Sequence, residues 1–174
     1  GRFAGEAADV PLGEVTWLPV IPRPGKILGI GLNYRDHAAE TGAEITQYPT
    51  IFVRFPESIV GHGQPLVRPK ASFRYDYEGE LAVIIGKPAR HVPRDEALGY
   101  VAGYTCFNDG TIRDWQGHTR QFTPGKNFVA TGAMGPWMVT ADEIPDPAGL
   151  SLMTRLNGET VQDDRTSDLI FGIP

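Results

Sequence analysis

The segment Asp76-Tyr77-Glu78-Gly79-Glu80-Leu81-Ala82-Val83-Ile84-Ile85-Gly86 sets two carboxylates directly before an apolar run. Side chains alternate along a strand, so Glu78 and Glu80 fall on one face, about 6.7 Å apart along the chain. The run that follows reads as a strand buried on both faces. Two anions in that setting repel by about 2.5 kcal/mol at an effective dielectric of ~20. Either one of them is protonated or a cation sits between them. A hard divalent ion such as Mg²⁺ suits carboxylate oxygens. A strand end with two solvated glutamates is the plainer alternative. Gly79, between them, leaves the opposite face bare and open to a close approach of backbone.

A third acid, Asp109, follows a second strand-like run and opens a stretch, 109–121, that reads as a helix capped by Asn108 or Asp109. Asp109, Arg113 and Gln116 then fall at i, i+4 and i+7, on one helical face. Asp109 there suits a third metal ligand, Arg113 a fork for a substrate carboxylate, and Gln116 a neutral donor beside it. A capping Asp with an ordinary i, i+4 ion pair is the plainer reading. Lys126 leaves the turn Thr123-Pro124-Gly125, where a surface lysine would be unremarkable. Arg54 stands mid-strand in Phe52-Val53-Arg54-Phe55, a charge that needs either a partner or the solvent face of an edge strand. His37 and Glu40 fall at i, i+3 in Asn33-Tyr34-Arg35-Asp36-His37-Ala38-Ala39-Glu40. A carboxylate that near can orient an imidazole and raise its basicity, which suits a general base.

The elements that must position these residues are short. Strands are expected over 15–20, 26–31, 50–55, 75–86, 100–107, 134–140 and 150–157, with a return strand after the Asn157-Gly158 turn. Helices are expected over 34–40, capped by Asn33 and ended at Thr41-Gly42, and over 94–99 and 109–121. A further element begins near Asp168. The sum is a β-rich α+β domain.

The chain has 174 residues, enough for one domain with its own core. Its 21 glycines and 15 prolines exceed the usual share without a Gly-X-Y period, which favours many turns. The net charge of −5, with no basic stripe, argues against a nucleic-acid partner. One cysteine, Cys106, admits no internal disulfide and suits a reducing cytoplasm. No apolar run approaches the ~20 residues of a membrane helix, and no secretory leader opens the chain. Gly29-x-Gly31 lacks the third glycine of a dinucleotide fingerprint. No phosphate-binding loop, serine elbow or His-Glu-x-x-His is present. The chain stops within an apolar run, Leu169 to Pro174, from which a missing C-terminal part is expected.

In order, Gly29 to Glu40, Asp76 to Leu81, Gly103 to Gln116, Gly125-Lys126-Asn127-Phe128, Gly135-Pro136-Trp137 and Asn157-Gly158-Glu159 resemble the fumarylacetoacetate hydrolase family. Any one motif is weak, but the ordered set is specific. The resemblance divides the chain into an N-terminal segment, 1–24, and a catalytic domain, 25–174. It implies a mixed β-sandwich roll with short helices, commonly dimeric. It implies Mg²⁺ or Mn²⁺ (Ca²⁺ in crystals) on Glu78, Glu80 and Asp109. Arg113 and Gln116 match substrate-contacting positions, as does Lys126, whose expected role is to steady a developing oxyanion. His37 and Glu40 match an acid–base pair. The substrates implied are small 2-oxo acids and their enols. Hydrolysis of acylpyruvates is expected first, and hydration, isomerisation or decarboxylation are the alternatives. A non-catalytic domain steadied by its metal is a third reading. Two departures stand out. Arg54 occupies a position where the family usually has lysine, so it can bind or position but not give up a proton. The family's C-terminal Thr-Gly-Thr-Pro turn is absent.

Overall fold

The computed structural model describes residues 5–174; the first four residues of the expected N-terminal segment lie outside the described residues. In chain order the elements are β1 (Ile27–Gly31), α1 (Arg35–Thr41), β2 (Thr50–Arg54), β3 (Ile59–Gly61), β4 (Tyr75–Asp76), β5 (Gly79–Ile85) and β6 (Val101–Asn108). Then come β7 (Thr111–Ile112), α2 (Arg113–Gln116), α3 (Thr123–Lys126), β8 (Gly132–Met134), β9 (Val139–Thr140), β10 (Ser151–Leu156) and β11 (Glu159–Arg165). The architecture is the β-rich α+β one expected.

The central sheet is mixed. It runs β3-β8-β6-β5, with β9 also on β6; β3 and β8 are parallel and the other pairs antiparallel. Three two-stranded ribbons surround it: β1–β2, β4–β7 and the β10–β11 hairpin. The hairpin turns on Asn157 and Gly158, both at positive φ, as the Asn-Gly pair predicts. The buried apolar side chains are few, among them Phe52, Ile59, Tyr104, Ile112 and Met134. Among the described residues the largest fully buried side chain is a lysine, Lys126. The core is thus built around charge.

Several expected elements are shorter or broken. No strand forms over 15–20; that stretch is irregular, and Gln64 Nε2 donates to the Trp17 carbonyl at 2.8 Å. The strand over 75–86 is interrupted: β4 ends at Asp76, β5 begins at Gly79, and Tyr77 and Glu78 form the break. β5 is half-buried rather than covered on both faces. The helix over 109–121 shrinks to the single turn of α2, because Thr111 and Ile112 are drawn into β7 against β4. The 134–140 strand is split by a cis Gly135–Pro136 peptide. Strand β3 forms in a stretch that reads as a loop by sequence.

Asn33 does not cap α1. Its side chain instead clamps the C-terminal segment, donating to the Phe171 carbonyl at 3.0 Å and accepting from the Phe171 N–H at 2.8 Å. The helix start is served by Asp168, whose Oδ2 accepts from the Asp36 N–H at 3.0 Å. Tyr34 also bridges to Leu169. Gly42 closes the helix in the left-handed conformation, as expected.

Candidate active site

The break between β4 and β5 brings the acids to the middle of the molecule. Glu78, released from strand pairing, accepts from Thr111 Oγ1 at 2.8 Å and from Arg113 Nη1 at 2.6 Å. Its other oxygen takes Lys126 Nζ at 2.7 Å. Its backbone is tied to the β6–β7 corner: the Glu78 N–H donates to Asn108 Oδ1 and the Asp109 N–H donates to the Glu78 carbonyl. That pairing sets Asp109 beside Glu78 although thirty residues separate them.

Asp109 is buried between two cations. Lys126 Nζ reaches its Oδ2 at 2.6 Å and Arg54 Nη1 its Oδ1 at 2.5 Å. Lys126, which reads as a surface residue by sequence, is held at the end of α3 with its ammonium 4.8 Å from the centre of the Phe52 ring. Arg113, from α2, binds Asp76 Oδ2 at 2.8 Å and donates to Gln116 Oε1 at 3.2 Å. Asp109, Arg113 and Gln116 therefore do not share one helical face. Arg113 and Gln116 share α2, and Asp109 reaches the same place from the corner before β7.

Glu80 differs from its neighbours. Among the described residues no cationic side chain lies within ion-pair distance of it. Its carboxyl is pushed up to about 8, first by burial and then by the charges of Glu78 and Asp109, with Lys126 opposing. Burial likewise raises Asp109, against the pull of Lys126 and Arg54. The Tyr34 hydroxyl is raised by burial and then by the charge of Glu80. Were all ionised, Asp76, Glu78, Glu80 and Asp109 would outnumber Arg54, Arg113 and Lys126 by one; Glu80, with no cation within ion-pair distance and its carboxyl raised to about 8, holds a proton at neutral pH instead.

That excess decides whether a metal ion suits the cluster. Among the described residues no three His, Cys, Asp or Glu side chains stand together as a ready set of metal ligands. Glu78 and Asp109 have Lys126 between them. The donor chemistry nonetheless fits a hard divalent cation: the donors are carboxylate oxygens, and one acid lacks a counter-charge.

His37 and Glu40 sit together on α1, 3.8 Å apart between Nδ1 and Oε2, and both are well exposed. The structure does not join them to the buried cluster.

Gly79, between the two glutamates, is where the β10–β11 hairpin docks. Gln162 bonds both its N–H and its carbonyl at 2.9 Å. A Cβ here would lie 2.1 Å from Thr154 Oγ1. What approaches is thus a pair of side chains rather than backbone. Gly79→Ala is expected to cost about 1–3 kcal/mol by forcing the hairpin away. Chemical denaturation checks this, and an unchanged midpoint contradicts it.

The family model for the fumarylacetoacetate (FAA) hydrolase C-terminal domain matches residues 26–174. The chain belongs to the fumarylacetoacetate hydrolase family. A mitochondrial oxaloacetate tautomerase of Rattus norvegicus is 39% identical over 170 residues, covering 97% of this chain and 54% of its own. A 5-carboxymethyl-2-hydroxymuconate delta-isomerase from Mycobacterium smegmatis superposes with a TM-score of 0.79 at 34% identity, covering 90% of this chain and 61% of that one. A fumarylacetoacetate hydrolase from Exiguobacterium antarcticum does so with 0.80 at 36%, covering 89% and 56%. The chain spans 54% to 64% of the length of the curated relatives it matches. No helix among the described residues is long and apolar enough to cross a membrane.

Within this family member, sequence reasoning missed three contributors. Asp76, whose place beside Glu78 carries no local sign of a role, anchors Arg113. Thr111 hides in a stretch read as helix. The Asn33 clamp joins residues 138 apart, and no local spacing signals it.

Proposed function

We propose that this protein moves a proton at the carbon next to the carbonyl of a small 2-oxo acid, interconverting keto and enol forms or shifting a double bond. The observation that carries this is the buried Lys126 ammonium held between Glu78 and Asp109, with Glu80, an acid that has no cation of its own, nearby. A site with this balance suits a divalent cation together with an anionic substrate. Relatives named as a tautomerase and an isomerase favour this reading.

Glu78, Glu80 and Asp109 would hold Mg²⁺ or Mn²⁺ (Ca²⁺ as a substitute in crystals). When bound, the ion supplies a Lewis acid that lowers the cost of enolate charge. Arg113, aligned by Asp76 and Gln116, binds the substrate carboxylate. Lys126 offers its ammonium to the developing oxyanion. Glu40 orients the His37 imidazole, which takes the proton from the substrate carbon. The protein works as a homodimer in the cytoplasm.

Hydrolysis of an acylpyruvate is the second reading, favoured by the structural neighbour named a fumarylacetoacetate hydrolase. There His37 would activate a water that adds to the acyl carbonyl, and breaking the C3–C4 bond would release the acyl group as its acid and the rest as the enolate of a 2-oxo acid, which then takes a proton. Decarboxylation or hydration would draw on it too.

A panel of 2-oxo acids, followed with Mg²⁺ and with a chelator, tests the proposal. Mg²⁺-dependent loss of enol absorbance is expected for at least one member, and His37→Ala should lower kcat by about 10²-fold or more while metal binding persists. Metal binding with no turnover on any member would instead indicate a metal-steadied binding domain and overturn the catalytic reading.

A further inference from the structure

Strand β2 turns two side chains inward, Phe52 and Arg54. Phe52 lies against Lys126. Arg54 lies against Asp109, and its guanidinium is enclosed, with only 1% of its side chain exposed. Every nitrogen of the fork is engaged. Nη1 donates to Asp109 Oδ1 at 2.5 Å and to the Gly110 carbonyl at 3.1 Å. Nε donates to Ser58 Oγ at 3.2 Å. Nη2 donates to Thr131 Oγ1 at 3.2 Å and, more weakly, to the Ser58 carbonyl at 3.5 Å.

The two hydroxyls can play only one part toward Arg54. A hydroxyl has a single proton. Ser58 gives its own to the Phe55 carbonyl at 2.7 Å, and Thr131 gives its own to the Phe128 carbonyl at 2.7 Å. Both therefore face position 54 as acceptors. Space is reserved as well. A Cβ on Gly132 would lie 2.7 Å from Arg54 Nη2 and 2.9 Å from Cζ. Two fixed acceptors and one missing side chain thus surround a planar, donor-only group. An ammonium has its donors on one atom and cannot meet Asp109, Ser58 and Thr131 together.

We propose that Arg54 is a positioning residue. It locks the Asp109 carboxylate from beneath, so that the opposite oxygen meets Lys126 at a set angle, and it touches no substrate. Of the binding and positioning roles that the sequence leaves open to Arg54, this keeps the second, because every guanidinium nitrogen is already bonded to Ser58, Gly110, Thr131 or Asp109. It rests on the reading of Asp109 and Lys126 as site residues given above.

Arg54→Lys keeps the charge and loses the fork. It should lower kcat about tenfold to a hundredfold, with KM for the 2-oxo acid changed less than about threefold, since uniform substrate binding is untouched. A rise in KM with kcat preserved would show substrate contact and overturn the proposal. So would a lower melting temperature with kcat unchanged, which marks a merely structural part. Thr131 supplies a milder probe should Arg54→Lys fold poorly. Thr131→Ser retains the acceptor and should keep kcat, whereas Thr131→Val removes it and should lower kcat severalfold; equal activity of the two overturns the proposal. A crystal structure of Arg54→Lys gives a readout without turnover. The Asp109 carboxylate should rotate and its contact with Lys126 lengthen, and an unmoved Asp109 contradicts the assignment. If the wild-type chain turns over none of the 2-oxo acids, the proposed function fails, while this structural comparison still decides the part played by Arg54.

Discussion

Lys126→Met is expected to be among the most damaging single changes in the molecule. The substitution keeps an unbranched side chain over the Phe52 ring but removes the charge shared by Glu78 and Asp109. Breaking a buried ion pair from one side leaves an uncompensated charge and costs about 3–5 kcal/mol. Here two carboxylates are left facing each other, with Arg54 and Arg113 on their far oxygens. Turnover should fall by about 10²–10³-fold through loss of the oxyanion donor. Denaturant unfolding of the metal-free protein checks the first effect and steady-state rates the second. Added Mg²⁺ should recover more stability in Lys126→Met than in the wild type, because it restores positive charge where the ammonium is lost. Wild-type unfolding by Lys126→Met would mean that the charges are not coupled as described.

Glu80→Gln has a different signature, since here an acid without a counter-ion is neutralised. In the folded protein Glu80 is pushed from the ordinary 4.5 up to about 8. Between those values the folded state binds more proton than the unfolded one. Stability linked to this group is therefore full below pH 4.5 and is lost as pH rises toward 8. Gln cannot titrate. In the absence of metal, Glu80→Gln should be more stable than the wild type at pH 8 by a few kcal/mol, at about 1.4 kcal/mol per pKa unit. The difference should shrink steadily as pH is lowered. With Mg²⁺ the order reverses. The wild type should gain about 2.7 kcal/mol at a hundred times its Kd, Glu80→Gln should gain little, and its turnover should be lost. A pH-independent difference, or an equal Mg²⁺ shift in both proteins, would remove Glu80 from the proposed ligand set.

The fold class was legible in the sequence, as were several of the charged residues that the structure brings together, and much of the reason is local. Glu78 and Glu80 stand two apart, and Asn157-Gly158 is a turn whatever surrounds it. The acidic and basic residues that meet in the structure were recognisable as a set through their ordered motifs. What sequence could not supply was long-range. The 109–121 helix shrank because β4 offered Thr111 and Ile112 a partner strand. The cap predicted for Asn33 was lost to Phe171, far along the chain. Taken by themselves Lys126 and Arg54 read as surface or edge charges, and only the family resemblance puts them in the site, because a buried cation is legible only once its carboxylates are brought to it.

The central claim is that one divalent ion joins Glu78, Glu80 and Asp109. Anomalous diffraction from manganese-soaked crystals tests it most directly. The account predicts a single strong peak among the three carboxylates, with the Lys126 ammonium withdrawn from at least one of them. No peak there, with Lys126 still bridging Glu78 and Asp109 at high manganese, would contradict it.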